Sequence, residues 1–506
     1  MTERERMDRD FDAKLNEFKA YIKDMEYLNA AIAGLYWDSR TYIPRSGVEY
    51  RGEVLGYLSA ELYRKQTSQQ MRDFLDCFSA QPDMDDVTRA MVDRLKREYD
   101  RTVKIPEERY RAYVVAVSAA EAAWEDAKRK ADYALFAPHL KELIAFNREF
   151  IGYWGGGDSG YDLLLDYFEP GVTVAQLDAV FEDLRDAVVA LLNRIRQKPR
   201  PDDEFLKGVF PAEAQEKFSK YVLEKMGYSF DAGRLDVSVH PFTITLGVGD
   251  VRITTSYDEH DLRSALYSCI HEGGHAIYEQ NIDPALAGTT LMTGASMGIH
   301  ESQSRLYENL IGRSRAFWQY FYPEAQKSFP QLAGVPLEAF YRAVNTVQPS
   351  LIRIEADELT YSLHIIIRYE MEKAIFGGGA DVADLPRMWN AKYREYLGVE
   401  PQNDSEGILQ DTHWSGGNFG YFPSYALGNL YGAQFLSVMK RDIPDLERRI
   451  SEGDFAGMNG WLREHVHRHG AVYQPGELIR RVTGEPLTAK YFINYLNGKY
   501  ADIYGL

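Results

Sequence analysis

The feature that most constrains this 506-residue chain is the segment His271-Glu272-Gly273-Gly274-His275, which lies inside a predicted helix. Residues four apart share one face of a helix, so both imidazoles can reach one metal ion. Glu272 follows the first histidine, where its carboxylate can take a proton from an attacking water. The segment therefore predicts an HExxH site for zinc, with Glu272 as the base.

A catalytic zinc site needs three protein ligands and an open coordination position. Glu301 lies thirty positions after His271, on the next predicted helix, and can return to face the histidine pair. His300 and Glu308 are the competing candidates for the third ligand. Arg305 stands where thermolysin-like enzymes place an aspartate, which excludes that class. We therefore predict Glu301 as the third ligand.

The two glycines between Glu272 and His275 are unusual in a helix interior. Each costs roughly 1 kcal/mol relative to alanine in that position. A sequence tolerates this cost where something must approach the helix closely. We expect the neighbour to be a substrate or an adjoining helix.

Helical periodicity dominates the remainder of the chain. Up to about residue 234, apolar residues recur three and four positions apart, as on amphipathic helices. Between Leu235 and Thr255, β-branched residues alternate with others around a Gly247–Asp250 turn, which predicts a β-hairpin. Helices then continue to the C-terminus. The sequence predicts a mostly α fold in a single catalytic domain over 1–506, with a helical half (1–234) and a half carrying the hairpin and the metal site (235–506).

Charge and cysteine content restrict the function classes. The net charge of −18 argues against a nucleic-acid surface, which requires basic stripes. Two cysteines, Cys77 and Cys269, fit a reducing compartment. The N-terminal segment has no apolar core, and no apolar run approaches the roughly 20 residues that cross a bilayer. We expect a cytoplasmic protein without a membrane partner.

Five further motifs accompany HExxH in a fixed order. They are His240-Pro241-Phe242, Asp250-Val251-Arg252-Ile253-Thr254, His300-Glu301-Ser302-Gln303, Ile352-Arg353-Ile354-Glu355-Ala356-Asp357 and Gly407-Ile408-Leu409-Gln410-Asp411-Thr412-His413-Trp414. In this order and spacing the chain resembles the Taq-type thermostable metallocarboxypeptidases. The motifs cover the chain from the predicted hairpin to Trp414, and none departs from the family pattern.

The resemblance implies a metal centre, a fold and an activity. It implies zinc, or cobalt, at His271, His275 and Glu301, with Glu272 as the base. It also implies a large helical fold with a long groove, similar to those of neurolysin and angiotensin-converting enzyme, and a homodimer. The implied activity is the removal of C-terminal residues from peptides with broad specificity.

A free C-terminus is a carboxylate, which a bidentate arginine holds best. Arg353 and Arg252 are the candidates for this role, and Arg353 is preferred. The alternative for Arg353 is an ordinary ion pair with Glu355 or Asp357.

The predicted hairpin can bind a substrate backbone as an added strand. In that arrangement His240 lies near the scissile bond, although a lone histidine on a strand is more often structural. Gln303, in the motif that carries the third ligand, is assigned to substrate binding.

Peptide hydrolysis also needs a hydrogen-bond donor for the developing oxyanion. His413 and Tyr421, in or beside the glycine-rich stretch that follows Asp411, are the preferred candidates, with Tyr425 as a further one. Asp357 and Asp411 are candidates for orienting a ligand histidine, and capping or surface charge is the alternative for both.

Two other functions remain open at this point. The first is an oligoendopeptidase on the same fold, which cuts internal bonds of short peptides. The second is a non-catalytic peptide-binding protein with a vestigial metal site. The intact Glu272 argues against the second, because a structural metal site needs no base.

Overall fold

The computed structural model describes residues 3–156 and 160–506, and Met1, Thr2 and 157–159 lie outside the described residues. The α-helices are α1 Glu3–Thr41, α2 Val48–Gln66, α3 Gln69–Ser79, α4 Asp86–Val103, α5 Glu107–Lys130, α6 Ala137–Trp154, α7 Tyr161–Phe168, α8 Val174–Ile195, α9 Ala212–Met226, α10 Leu262–Gln280, α11 Met297–Arg305, α12 Arg315–Ser328, α13 Leu337–Val344, α14 Tyr361–Phe376, α15 Leu385–Leu397, α16 Pro423–Asp442, α17 Leu446–Ser451, α18 Ala456–His465, α19 Pro475–Thr483 and α20 Lys490–Tyr504. The strands are β1 Leu235–Val237, β2 Thr243–Gly247 and β3 Asp250–Thr255. The prediction of a mostly α fold is confirmed.

The first helices bury the apolar stripe that their periodicity predicts. Phe18 of α1 is fully buried and packs against Phe74 and Phe78 of α3, with ring centroids 5.3 and 5.1 Å apart. Burial of such aromatic side chains stabilises the packing of these two helices. No helix within the two described ranges is both long and apolar enough to span a membrane.

The small sheet differs from the predicted hairpin in one respect. β2 and β3 form an antiparallel pair around the predicted turn, but β1 lies on the other side of β3 and pairs with it in parallel. The chain crosses between these two edges at 238–242. Pro241 lacks the N–H that a continuous strand needs. The Thr254 hydroxyl accepts the Phe242 N–H at 3.0 Å and so fixes this crossover.

The sheet order leaves one edge of β2 without a partner strand in the described parts of the chain. Residues 243–248 line a groove of about 1490 Å³. The groove is also lined by residues of α1, α4, α10 and α11, and by the first turn of α16. A free strand edge inside a groove offers unpaired backbone groups to an extended peptide.

The glycine pair of α10 allows another helix to approach closely. An adjoining helix was one of the two neighbours expected from the sequence, the other being a substrate. A Cβ at Gly274 would lie 2.7 Å from the Gln303 carbonyl oxygen of α11. On the other side of α11, a Cβ at Gly428 of α16 would lie 2.5 Å from Cγ of Glu301. Glycines on both flanking helices therefore let α11 lie between α10 and α16, which brings Glu301 to the histidines.

Candidate metal centre and active site

The three predicted ligands meet where α10 and α11 pack. Glu301 Oε2 lies 3.6 Å from His271 Nε2 and 3.4 Å from His275 Nε2. One ligand atom from each residue lies within 4.8 Å of the others. This spacing allows the three atoms to coordinate one metal ion, and two imidazoles with a carboxylate are a donor set that suits zinc.

The partner of His271 fixes its tautomer. His271 Nδ1 lies 2.8 Å from Glu308 Oε2. Burial raises the pKa of Glu308, but Arg305 and His271 outweigh it and hold this pKa at about 2. Because an ionised carboxylate only accepts hydrogen bonds, the proton of His271 sits on Nδ1. The Nε2 lone pair is then directed to the position beside Glu301.

His275 reaches a carboxylate through a second imidazole. Its Nδ1 lies 2.6 Å from His300 Nδ1, and His300 Nε2 lies 2.8 Å from Glu279 Oε1. Glu279 accepts from His300 Nε2, which leaves His300 Nδ1 to accept from His275 Nδ1. His275 Nε2 is therefore also unprotonated. Burial lowers the pKa of His275 to about 4, consistent with a neutral ligand.

The two competing ligand candidates thus lie behind the ligand histidines. A π-helical turn, Leu306–Ile311, continues α11 and carries Glu308. Such turns occur frequently at functional sites. Arg305 donates to Glu301 Oε1 at 2.7 Å and to Glu308 Oε2 at 3.2 Å. This buried guanidinium fixes both carboxylates relative to each other.

Glu272 follows His271 on α10, and the charges of His271 and Glu301 act on its carboxylate. Its side chain is buried, and burial raises its pKa. The Thr243 hydroxyl of β2 donates to Glu272 Oε2 at 2.6 Å. Within the described residues, Oε1 of Glu272 accepts no hydrogen bond. One oxygen is therefore held by the edge strand, and the other is available for a proton.

Replacing Thr243 with valine, which has the same shape but no hydroxyl, is expected to lower kcat by about 10- to 100-fold, because a hydrogen bond to a charged group contributes about 1.5–3 kcal/mol. KM should change little, since the hydroxyl contacts the base. Thr243→Ser keeps the donor and should restore most of the rate. Steady-state kinetics on one peptide measure all three proteins. An unchanged kcat in Thr243→Val would contradict the role.

Three aromatic residues from the segment after Asp411 lie beside the ligands. Tyr421 and Tyr425 line the groove together with His275 and Glu301. His413 lies behind them, with Nε2 3.1 Å from the Tyr425 hydroxyl. Burial lowers the pKa of His413 to about 4, so its imidazole is neutral near pH 7. Of the three residues, Tyr421 and Tyr425 line the groove and His413 does not.

Arg353 lies close to this cluster, in an ion pair that differs from the expected alternatives. Its Nε and Nη2 donate to Asp411 Oδ1 at 3.0 and 2.8 Å, rather than to Glu355 or Asp357. Its Nη1 donates to the Tyr361 hydroxyl at 3.1 Å, and its guanidinium lies 4.8 Å from the Tyr425 ring centre. Two of its N–H groups remain for a ligand, since a guanidinium has five.

The other predicted substrate-binding residues lie elsewhere. Arg252 donates to both carboxylate oxygens of Asp250 at 2.7 Å and stacks 4.6 Å from the Trp37 ring centre. His240 is exposed at the crossover between β1 and β2. Gln303 is fully buried and bonds Nε2 of His467 through Oε1 at 2.8 Å. Like Arg353, which is 7% exposed, none of these three predicted residues lines the groove.

Neither aspartate considered for orienting a ligand histidine contacts one. Asp357 accepts the Thr360 N–H at 3.0 Å near the start of α14, which is a capping role. Asp411 is shared by Arg353 and Arg368, which outweigh the effect of burial and lower its pKa. The orienting carboxylates belong to Glu308 and Glu279 instead.

Sequence reasoning missed Glu279 and Thr243. Glu279 lies seven positions after Glu272, on the same face of α10. Helical spacing could therefore have placed Glu279 near the site. Thr243 and Thr245 alternate along β2, and Thr245 donates to Glu279 Oε2 at 3.0 Å. The two threonines therefore fix the edge strand to two glutamates of the metal-site helix.

This geometry agrees with comparisons of the whole chain. The profile of the Carboxypeptidase Taq (M32) metallopeptidase family matches residues 17–500, and the chain belongs to that family. Carboxypeptidase 1 of Bacillus subtilis is 50% identical over 491 residues, which is 96% of this chain and 98% of the relative. Thermostable carboxypeptidase 1 of Thermus thermophilus is 40% identical over 98% of this chain and 99% of its own length.

Solved structures show the same fold. The crystal structure of the M32 carboxypeptidase from Deinococcus radiodurans R1 is 38% identical, with a TM-score of 0.95 over 98% of this chain and 100% of that chain. The structure of Pyrococcus furiosus carboxypeptidase gives a TM-score of 0.94 at 35% identity, over 96% and 99% of the two chains. The protein is a metallocarboxypeptidase, a hydrolase of peptides that uses a metal cofactor.

Proposed function

We propose that this protein is a zinc-dependent carboxypeptidase of broad specificity in which Glu272 is the general base. The observation that carries the proposal is the arrangement of His271 and His275, whose Nε2 atoms face the Glu301 carboxylate at 3.6 and 3.4 Å. Structural zinc sites are closed by four protein ligands, whereas this cluster offers three and leaves a position open.

The donor set favours zinc, with cobalt as a substitute of similar coordination chemistry. His271, His275 and Glu301 would hold the ion. When bound, the ion polarises the scissile carbonyl and lowers the pKa of water at its open position.

The residues of the chain supply the proton transfers. Glu272 accepts a proton from the attacking water at Oε1, while Thr243 holds Oε2. Burial, which raises the pKa of Glu272, makes its carboxylate a better base than an exposed one. Glu272 then delivers the proton to the leaving amine. The hydroxyl of Tyr421 or Tyr425 donates to the developing oxyanion, and His413 orients Tyr425.

Arg353 is proposed to hold the substrate carboxylate. The Arg353 guanidinium lies next to the Tyr425 ring and bonds the Tyr361 hydroxyl. The ring centre of Tyr361 lies 4.2 Å from the guanidinium of Arg305, and Arg305 donates to Glu301. This chain of contacts connects the carboxylate site to the metal centre. The substrate-binding roles of Arg252, His240 and Gln303 stay predictions. Gln303 lies on the buried side of α11, so an effect of Gln303 on the substrate would be transmitted through that side.

Broad specificity follows from how the peptide backbone would bind. The free edge of β2 offers main-chain N–H and C=O groups to an extended substrate. Such bonds are independent of the substrate side chains, so many sequences can occupy the groove.

The experiment that tests this function compares pairs of peptides that differ only in a free or amidated C-terminus. A carboxypeptidase that anchors the carboxylate should cleave the free peptide at least about 30-fold faster in kcat/KM, because losing one partner of a buried charged bond costs about 2–5 kcal/mol. An oligoendopeptidase, the alternative function, should cleave both at similar rates. Equal rates would therefore contradict the proposal.

Three further predictions concern the whole molecule. A single catalytic domain over 1–506 is supported by contacts between its two parts, such as the hydrogen bond that the Gly298 N–H at the start of α11 donates to Glu169 (2.9 Å). A homodimer stays a prediction of the family resemblance, and a cytoplasmic location stays a prediction of the sequence patterns. Light scattering of the purified protein measures the first of these two.

A further inference from the structure

The groove carries a row of arginines that the proposed reaction does not use. Arg94, Arg97 and Arg101 lie three and four positions apart on α4, and all three line the groove. Arg94 Nε donates to Glu98 at 3.1 Å, and Arg101 is paired with Asp166. Each outer arginine of the row therefore has its own carboxylate.

Arg97, between them, has none. In the part of the chain that the structure describes, Arg97 makes no ion pair and no hydrogen bond. The acids nearest to it are Glu98 and Asp166, which its neighbours already bind. Burial lowers the pKa of Arg97, and Arg101 and Arg94 add to this effect, while the charges of Asp166 and Glu98 oppose it without reversing it. A half-buried guanidinium without an acceptor is unfavourable, and its five N–H groups remain available to a ligand.

The groups on α1 that line this part of the groove do not neutralise Arg97. The Glu26 carboxylate accepts from Asn29 at 3.4 Å, and the arginine whose charge acts on it is Arg94 rather than Arg97. Lys23 lies 5.7 Å from the Tyr27 ring centre and adds a second cation. This part of the groove is therefore locally positive, although the whole chain carries a net charge of −18.

One short helix connects the arginine row to the proposed cleavage site. Arg101 lies 5.6 Å from the ring centre of Tyr167 in α7. The next residue, Phe168, packs against Tyr421 with ring centroids 5.0 Å apart. Tyr167, Phe168 and Tyr421 all line the groove. A peptide that lies in this groove at the metal centre can therefore extend to Arg97.

We propose that Arg97 forms a subsite for an acidic side chain of the substrate, at a position on the N-terminal side of the residue that is removed. The inference rests on the proposed function, because it requires a peptide in the groove with its C-terminal carboxylate at Arg353. Arg97 is then available to bind the side chain of an aspartate or glutamate nearer to the N-terminus of the peptide. A carboxylate there would accept the charge-assisted bonds for which Arg97 lacks a protein partner.

The test uses short peptides that are identical except for glutamate or glutamine at one position upstream of the C-terminal residue, scanned along the peptide. The readout is the ratio of kcat/KM for the glutamate peptide to that for its glutamine match. The wild-type ratio should reach about tenfold at one or two adjacent positions, as expected for one charge-assisted bond. In Arg97→Gln this ratio should fall to about one.

Lys96→Gln is the matched control. Lys96 is the neighbouring cation on α4, does not line the groove, and donates to Asp100 at 2.6 Å. It should keep the wild-type ratio. A wild-type ratio near one at every position would overturn the subsite, and so would an unchanged ratio in Arg97→Gln. If no peptide of the series loses its C-terminal residue to the wild-type protein, the proposed function fails instead.

Discussion

Replacing Glu272 with glutamine is expected to lower kcat by about 10²- to 10⁴-fold, the usual contribution of a general base. Glutamine has the same shape and can still accept the Thr243 hydroxyl through its amide oxygen. It cannot take a proton from the attacking water. The proposed metal ligands are the neighbouring histidines and Glu301, so the metal content of Glu272→Gln should equal that of the wild type.

Glu279→Gln provides a matched comparison on the same helix. Glu279 accepts from His300, which in turn orients His275, so this variant should weaken metal binding by about 10- to 100-fold. Saturating the protein with zinc should restore most of its rate, whereas zinc should not restore Glu272→Gln. Elemental analysis and kinetics at increasing zinc concentrations separate the two effects. Normal turnover of Glu272→Gln would contradict its role as the base.

Replacing Arg353 with alanine is expected to remove the preference for a free C-terminus. The kcat/KM of free peptides should fall by about 10²- to 10³-fold, because a buried charged contact to the substrate carboxylate is lost. Amidated peptides should be affected much less. Asp411 stays paired with Arg368, at 2.6 Å, so the variant should still fold and bind metal. Thermal unfolding and metal analysis check both points.

Arg252→Ala is the control for this prediction. Arg252 is the other arginine considered for the carboxylate, and it is occupied by Asp250 and by stacking on Trp37. Its removal should leave the ratio of free to amidated rates unchanged. If Arg252→Ala loses this ratio and Arg353→Ala keeps it, the two arginines have been assigned the wrong way round.

Local patterns in the sequence predicted most of the fold and the close approach of His271, His275 and Glu301. The period of apolar residues specifies helices, and the 247–250 turn specifies the β2–β3 pair, because both depend on neighbours in the chain. The parallel pairing of β1 was missed because it depends on the crossover at Pro241 and on a side chain of the distant β3. The cost of Gly274 in a helix did indicate a close neighbour, which is α11.

The environment of the ligands was less accessible to sequence reasoning. Glu308 and His300 were considered as ligands, and their positions behind His271 and His275 depend on how α10 packs against the π-helical turn and α11. The Asp411 pairing of Arg353 joins residues 58 positions apart in the chain. Contacts of this kind are set by packing between elements, and no spacing rule within one element predicts them.

Mass spectrometry of the products over time, with the zinc-loaded protein and an unmodified peptide, tests the central claim most directly. The account predicts that the first products are one free amino acid from the C-terminus and a peptide shortened by that residue. Peptides shortened by two and three residues should follow in order, and removal of zinc should stop the series. Internal fragments as the first products, or the same series without metal, would contradict the account.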